Sequence, residues 1–220
     1  MEFREISENR RVQRPSIEDE DLESASVGLK GEFAFEEVHV EGGEFSGTTG
    51  EGRLTRSVLE NADLSETVVD PLALADVRLS GCVLSNSRWS AVDARRVEIV
   101  KSQVVGWRVE FELAQDVYIG DCRADFASFD FASVKGLVVF EKCRFKESEF
   151  SGSLAKAVFL DCDLADADFS AVTDARGLDL RESKLAGAKG LLSLRGARVT
   201  DDQVLQVAGD LAREVGLTVD

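Results

Sequence analysis

The sequence predicts an all-β fold in which the chain winds into a four-sided solenoid, followed by one short C-terminal α-helix. Three observations predict it: an apolar residue that returns every fifth position, two columns of this repeat that contain no charge, and a helix signature after residue 199. An amphipathic helix would repeat at about 3.6 residues and a strand at 2. A period of five therefore needs a different path of the chain.

The period is clearest between residues 54 and 109. Twelve successive positions, five residues apart, are all apolar, and the column two residues before them contains no charged side chain. The other three columns hold 36 residues, of which 16 are charged. This segregation indicates two inward columns and three outward ones. The twelve central positions are Leu54, Leu59, Leu64, Val69, Leu74, Leu79, Leu84, Trp89, Ala94, Ile99, Val104 and Val109.

Strand geometry explains the pattern. Residues two apart in an extended chain point to the same side, so each central residue and the residue two before it face inward together. The last two residues of each pentapeptide must then turn a corner. Four such sides close a coil of about 20 residues, and coils stack at the strand spacing of about 4.8 Å. The expected result is a narrow tube filled by its own side chains.

The best copies of the repeat are "ADLSE" (62–66), "CDLAD" (162–166) and "ADFSA" (167–171). They resemble the motif of the pentapeptide-repeat family, roughly A(D/N)LXX. The resemblance implies a right-handed quadrilateral β-helix over residues 32–191, about eight coils long. Residues 1–31 are then a lead-in segment, and residues 192–220 a C-terminal strand and a capping or dimerisation helix.

The repeat loses its phase after Val109. An inward Glu112 would be an unpaired charge in the core, so we expect a bulge between residues 110 and 123 that turns it outward. The stretch "ADFASFDFASV" (124–134) allows more than one register. The repeat then continues with further one-residue slips. The positions predicted to face inward are Phe140, Phe145, Phe150, Leu154, Phe159, Leu164, Phe169, Leu180 and Leu185.

The C-terminal residues have a helix signature. Thr200 followed by Gln203 is a capping box, Asp201 and Asp202 suit the positive helix end, and Gly216 is a stop signal. The sequence therefore predicts a helix over residues 201–215. Its apolar stripe is expected either to cap the last coil or to form a dimer contact, as the resemblance also implies. The stripe consists of Val204, Ala208, Leu211 and Val215.

Composition excludes several function classes. The net charge of −16 disfavours direct nucleic-acid binding, and no apolar run is long enough to cross a membrane. The first residues lack a signal-peptide pattern, so a cytoplasmic location is expected. The glycine-rich stretch 42–52 lacks the GK[ST] of a phosphate loop, and His39 is interpreted as a surface strand residue. No cofactor, no metal and no catalytic activity are expected.

The cysteines have no metal-ligand spacing. Cys122, Cys143 and Cys162 lie about one coil apart in an inward column, which predicts buried thiols stacked on one inner side.

We interpret the chain as a non-catalytic protein-binding solenoid of unassigned partner. The alternative comes through the resemblance: a mimic of duplex DNA that modulates DNA gyrase and confers antibiotic resistance. Charge supports it only in part, because residues 17–51 carry a net −10 and residues 54–110 a net −1. A second acidic region is the candidate binding patch, formed by Asp161, Asp163, Asp166 and Asp168.

Overall fold

The computed structural model describes residues 2–7, 9–24 and 28–219; residues 1, 8, 25–27 and 220 lie outside this description. The chain forms a β-solenoid of about seven turns with one short C-terminal helix, which confirms the predicted fold class. The strands are β1 (Phe3–Ser7), β2 (Arg10–Gln13), β3 (Glu23–Ser24), β4 (Gly31–Glu36), β5 (Val38–Glu41), β6 (Thr49–Glu60), β7 (Val68–Ser80), β8 (Arg88–Val100), β9 (Arg108–Gly120), β10 (Ser128–Phe131), β11 (Val134–Glu141), β12 (Glu149–Ser153), β13 (Val158–Leu160) and β14 (Asp168–Asp174).

The pairing register shows that one coil takes about 20 residues. Leu54 pairs with Leu74 and Leu59 with Leu79, in parallel. A long strand such as β7 bends through three sides of its coil, and the remaining side is built from turns and single bridge residues, such as Asp63 against Val83. All twelve predicted central residues are at most 4% exposed, so the predicted inward columns are confirmed.

Corner residues explain how each side ends. Seventeen of the non-glycine residues that the structure describes have positive φ, and nearly all of them are charged or Asn. A polar side chain suits such a corner because it points into water and Asn tolerates the left-handed region. The side chains of Asn61 and Asn86 lie against Gly81 and Gly106, where a Cβ would come within 2.5 and 2.6 Å of the Asn Oδ1. Glycine thus leaves room for the Asn of the preceding coil.

Aromatic side chains fill the second half of the bore. Phe129, Phe150 and Phe169 stack with ring centroids 5.4 and 5.2 Å apart, and Phe140 lies 4.6 Å from Phe159. Parallel stacking in register places equivalent side chains above one another, so these residues form continuous ladders.

The region after Val109 contains the predicted bulge. Phe111 occupies the inward position, and Glu112 lies exposed at a bulge between β8 and β9. In the ambiguous stretch, Phe129 and Phe131 face inward whereas Phe126 lies exposed at a corner. The inward positions predicted from Phe140 to Leu185 are all buried.

The sequence predicts residues 1–31 as a lead-in segment before the repeat. Strand β3 matches the lead-in, since it pairs with β5. Earlier in this segment, β1 and β2 form an antiparallel hairpin that packs on the outer wall of the solenoid. There Val12 is buried against Tyr118 and Val139. The repeat pattern gave no signal for this contact.

The C-terminal helix α1 (Asp201–Glu214) begins at Thr200 with the predicted capping box, and Gly216 follows it with positive φ. A short 3₁₀ helix, Leu191–Leu194, precedes it. The C-terminal strand expected in residues 192–220 is reduced, in the described part of the chain, to one bridge between Asp179 and Arg198.

Candidate partner-binding surfaces

The outer walls carry the accessible chemistry, because the bore is filled. An open groove of about 590 Å³ crosses the first coils beside Glu32, Arg53 and Asp93, and an apolar cavity of about 140 Å³ lies under α1. Within residues 2–7, 9–24 and 28–219, no cluster of His, Cys, Asp and Glu could hold a metal ion. The helices in this part of the chain are also too short or too polar to cross a membrane.

The predicted acidic patch spans two sides and two corners of one coil. Asp161 and Asp166 stand exposed at the corners, with φ of 52° and 58°. Asp163 and Asp168 are half-buried on the sides, and each accepts a backbone N–H two residues ahead, at 3.2 and 2.8 Å. The Ser170 hydroxyl is the main cause that lowers the pKa of Asp168, while burial opposes it. Two of the four aspartates thus shape turns as well as carrying charge.

Basic residues interrupt the patch along the solenoid axis. In the stacking of the coils, the backbone of Asp163 pairs with that of Arg144 on one neighbouring coil and with that of Lys184 on the other. Asp168 lies between Glu149 and Lys189. The four aspartates are therefore brought together around one coil, but they do not continue as an acidic row.

A denser acidic surface lies at the N-terminal end of the solenoid. Strands β4 and β5, the turn after them and the start of β6 present five exposed glutamates. Arg56 forms an ion pair with Glu36. We call this group the acidic end. It consists of Glu32, Glu36, Glu41, Glu44 and Glu51.

The helix stripe predicted from sequence is not the face that packs on the last coil. Val204, Ala208 and Val215 are exposed, and Leu211 is half-buried beside the cavity. The buried helix residues are instead Gln203 and Val207.

Polar contacts explain this choice of face. The Gln203 amide donates to the carbonyl oxygens of Leu180 and Ser183, both at 2.6 Å, at the open end of the solenoid. Glu214 accepts the backbone N–H groups of Leu191 and Leu192, both at 3.1 Å. Backbone groups at the end of a solenoid need partners when they are buried, and α1 supplies them.

A buried ion cluster on the outer wall could not be read from the repeat. Glu98 points outward from β8 yet its side chain is only 3% exposed, because the N-terminal hairpin covers it. Arg4, Arg14 and Arg78 approach its carboxylate at 3.2, 3.1 and 3.6 Å. Nearer the start of the solenoid, Asp76 accepts the backbone N–H of Ser16 at 2.8 Å.

The thiol stack is confirmed. All four cysteines are buried and free, and Cys122, Cys143 and Cys162 lie at equivalent positions of successive coils. These neighbouring thiols, Cys122 first, together with burial raise the pKa of Cys143 far above its ordinary value. The pKa of Cys82 is also raised, mainly by burial. His39 and Trp89 are placed as predicted: His39 Nε2 lies 3.2 Å from Glu60 on the surface, and Trp89 is a core residue, as is Trp107.

Comparison with solved structures finds proteins of similar length. A trypsin-treated variant of QnrB1, a plasmid-mediated fluoroquinolone resistance protein, is 19% identical, with 87% of this chain and 93% of that chain covered and a TM-score of 0.39. HetL, a pentapeptide repeat protein involved in heterocyst differentiation regulation from the cyanobacterium Nostoc sp. strain PCC 7120, is 16% identical over 78% of this chain and 89% of its own, with a TM-score of 0.37.

No protein-family model and no curated protein matches the chain. The assignment therefore rests on the chain itself: the period of five in its sequence and the coil of about 20 residues in its structure. Together they show a β-solenoid built on a five-residue repeat, which fits the resemblance to the pentapeptide-repeat family.

Proposed function

We propose that the protein is a non-catalytic solenoid that binds a protein partner through its outer walls. The observation that carries this proposal is the filled bore: Leu64, Leu84, Val104 and Ala124 stack on one side with no solvent exposure. Ligand and active sites are usually concave pockets with a few convergent polar groups. Here the charged side chains lie on the outer walls and in one open groove, which suits an extended protein contact. Four free thiols support a reducing, cytoplasmic location.

The acidic end is the first surface to test. Its five exposed glutamates would complement a basic protein surface and accelerate encounter with it. Replacing Glu32, Glu41 and Glu44 by Lys should abolish capture of a stoichiometric partner from extracts of the native host. The matched control replaces Arg95, Arg176 and Arg195 by Glu, which lie in coils away from the acidic end. Equal capture by both triple variants would contradict a role for the acidic end.

The second candidate is a DNA-mimicking modulator of DNA gyrase that gives protection against antibiotics. Supporting it are the exposed corner aspartates Asp161 and Asp166, on a solenoid with a net charge of −16. Opposing it are Arg144, Lys184 and Lys189, which break the acidic row. If this candidate is right, the protein should inhibit supercoiling by gyrase or protect gyrase from a fluoroquinolone.

A double variant makes the gyrase test specific. Asp161→Lys with Asp166→Lys reverses two charges while keeping the turn-forming Asp163 and Asp168. A lysine fits such a corner, since Lys142 has the conformation of Asp161 one coil earlier. Loss of the gyrase effect in this variant would support mimicry, and an unchanged effect would exclude this patch. Absence of any effect by the parent protein would discard the candidate.

A homodimer through the C-terminal end is proposed as well. Leu205, Val215 and Leu217 are 75%, 55% and 61% exposed in the single chain, next to the apolar cavity under α1. Light scattering should give twice the chain mass for the parent protein and a single mass for Leu205→Glu with Val215→Glu. Because both side chains are exposed, the variant should remain folded. If light scattering shows that the parent protein is a monomer, the dimer proposal is wrong.

A further inference from the structure

The first coil of the solenoid has an open strand edge. Strand β4 pairs in parallel with β6 and, within the part of the chain that the structure describes, with no other strand. At the opposite end of the solenoid, α1 covers the last coil, and Gln203 donates to two of its carbonyl oxygens. An uncovered edge presents a row of unpaired backbone N–H and C=O groups, to which another chain can add a strand.

The contact between β4 and β6 shows which backbone groups of β4 face this edge. A Cβ added at Gly52 would collide with the carbonyl oxygen of Phe33, so that carbonyl points towards β6. Successive residues of a strand direct their N–H and C=O groups to opposite neighbours. The backbone groups of Glu32 and Ala34 therefore point away from β6, to the open edge. Among the described residues, none outside β4 and β6 forms a backbone hydrogen bond with them.

The side chains of β4 alternate between the bore and the outer wall. Phe33 is buried in the bore, and its ring stacks on that of Phe35 with centroids 5.9 Å apart. Phe35 also packs against the core, but it is only half-buried. Glu32, Ala34 and Glu36 lie exposed on the wall. A strand added in register would thus place apolar side chains over the two phenylalanines and other side chains beside the three wall residues.

The charge around this edge favours a basic strand. Residues 17–56 hold 11 acidic and three basic residues, which gives a net charge of −8. One of the three bases, Arg56, is already held by Glu36 and Glu37. Among the described residues, no cation lies within ion-pair distance of Glu32. Neighbouring positive charges therefore do not cancel the negative charge at this end, and a basic segment would be attracted to it.

The same glutamates disfavour a second copy of the chain as the added strand. Two β4 strands paired in register, in either direction, would place glutamates opposite glutamates. Like charges directly opposite each other destabilise a strand pair, and charged edge residues are a common protection against self-association. The edge is thus protected against its own kind but not against a strand of opposite charge.

We propose that the β4 edge binds an extended segment of a protein partner as an added strand, with the pattern basic, apolar, any residue, apolar, basic. Backbone hydrogen bonds to Glu32 and Ala34 supply affinity, and the alternating side chains supply specificity. The open groove of about 590 Å³ beside Glu32, Ala34 and Arg53 leaves the same wall accessible to the rest of the partner. This inference deepens the proposed protein-binding function and rests on it.

The test measures fluorescence polarisation of a fluorescein-labelled peptide, Gly-Lys-Val-Thr-Val-Lys-Gly, with the full chain. The control peptide, Gly-Lys-Lys-Thr-Val-Val-Gly, has the same composition and charge without the alternation, and should bind about tenfold more weakly. Ala34→Pro removes the N–H that faces the edge and leaves the β6 side intact, a position where strands accept proline. It should weaken binding about tenfold, because the peptide carbonyl loses its donor. Ala34→Ser keeps this N–H and should leave affinity unchanged.

Hydrogen exchange of the parent protein gives a readout that does not depend on any variant. Saturating peptide should slow exchange of the Glu32 and Ala34 amides about tenfold or more, whereas the Phe33 amide, which faces β6, should change little. Equal affinity for the two peptides, unchanged exchange at Ala34, or no binding at millimolar peptide would overturn the proposal. So would a dimer of the parent protein that Ala34→Pro converts to a monomer, because a second copy would then occupy the edge.

These outcomes are distinguishable from failure of the proposed function. Ala34→Pro changes no charge, so capture of a native partner by the parent protein and by the acidic-end variant is measured independently of it. If the parent captures a partner and Ala34→Pro captures it equally, the protein-binding function stands and the β4 site is wrong.

Discussion

Arg14 donates from Nε to Oε1 of Glu98 at 3.1 Å, although 84 residues separate them in the sequence. Arg14 follows the N-terminal hairpin, and Glu98 lies on the outer wall of the solenoid. At the hairpin turn, Arg10 reaches Asp179 at 3.3 Å, and Ser16 is bound to Asp76. Asp76 and Asp179 are 103 residues apart, so the N-terminal segment spans about five coils and ties them together.

We expect Glu98→Gln to destabilise the protein. The change would leave Arg4, Arg14 and Arg78 around a neutral amide, in a site where the Glu98 side chain is 3% exposed. Removing one partner of a buried ion pair typically costs about 3–5 kcal/mol. The free energy of unfolding can be measured by urea titration, with the exposed Glu110→Gln as control. Equal midpoints for both variants would show that the hairpin adds no stability through this cluster.

Stability should decline in acid, below about pH 4. Burial alone would raise the pKa of Asp76, but hydrogen bonds from Arg96 and the Ser16 N–H outweigh it and leave the pKa below its ordinary value. The hydrogen bond from Arg181 is the main cause that lowers the pKa of Asp179. Such carboxylates stabilise the fold above their unfolded pKa of about 3.9, and this contribution disappears as pH falls through the folded value.

The measurement is urea unfolding at several pH values between 7 and 2. Asp76→Asn should be less stable than the parent at pH 7 and should lose less stability between pH 4 and 2. The exposed Glu51→Gln should follow the parent curve. An Asp76→Asn curve parallel to that of the parent would contradict the assignment of acid sensitivity to this carboxyl.

Gln203→Ala should loosen the last coil. The substitution would leave the carbonyl oxygens of Leu180 and Ser183 without the amide that now donates to both. An unsatisfied buried polar group costs about 1–3 kcal/mol. Hydrogen exchange of residues 178–185 should accelerate, whereas the exposed Gln206→Ala on the same helix should change nothing. Unaltered exchange in the Gln203 variant would argue that water replaces the amide without loss.

The buried thiols should resist modification in the native protein. The adjacent thiols, Cys122 first, and burial raise the pKa of Cys143, and burial raises that of Cys82, so these two residues form little thiolate near neutral pH. Burial also keeps reagent away from all four cysteines. We expect a slow reaction with a disulfide reagent at pH 8 that becomes complete in urea. A variant with one exposed thiol, Ser46→Cys, should react at once and by one equivalent. Rapid reaction of the parent protein would indicate that the coil opens around the cysteine stack.

Much of the solenoid was predictable because its information is local. Alternation along an extended chain places Leu64 and Leu84 inward without reference to any distant residue, and both are fully buried. The capping box of Thr200 and Gln203 is local in the same way. The outward turn of Glu112 followed from the energy of burying an unpaired charge. In each case the neighbouring residues alone were sufficient.

The surfaces were less predictable because they depend on which coil lies next to which. The acidic patch was visible in the sequence, but its interruption by Arg144 and Lys184 follows from the stacking register. Phe126 was one of several register choices, and only the coil stacking places it outside. The face of α1 that packs depends on carbonyl groups left at the end of the last coil, which the helix pattern does not contain.

The amino-acid sequence by itself determined the coil and its inward columns, since a period of five repeated over many coils leaves one way to bury the apolar side chains. The tertiary structure decided how the N-terminal hairpin, the C-terminal helix and the charged walls are arranged. Contacts such as Arg14 with Glu98 join residues far apart in the chain, and their energy arises only when folding brings both to the same wall. The local repeat pattern contains no information about such distant pairs.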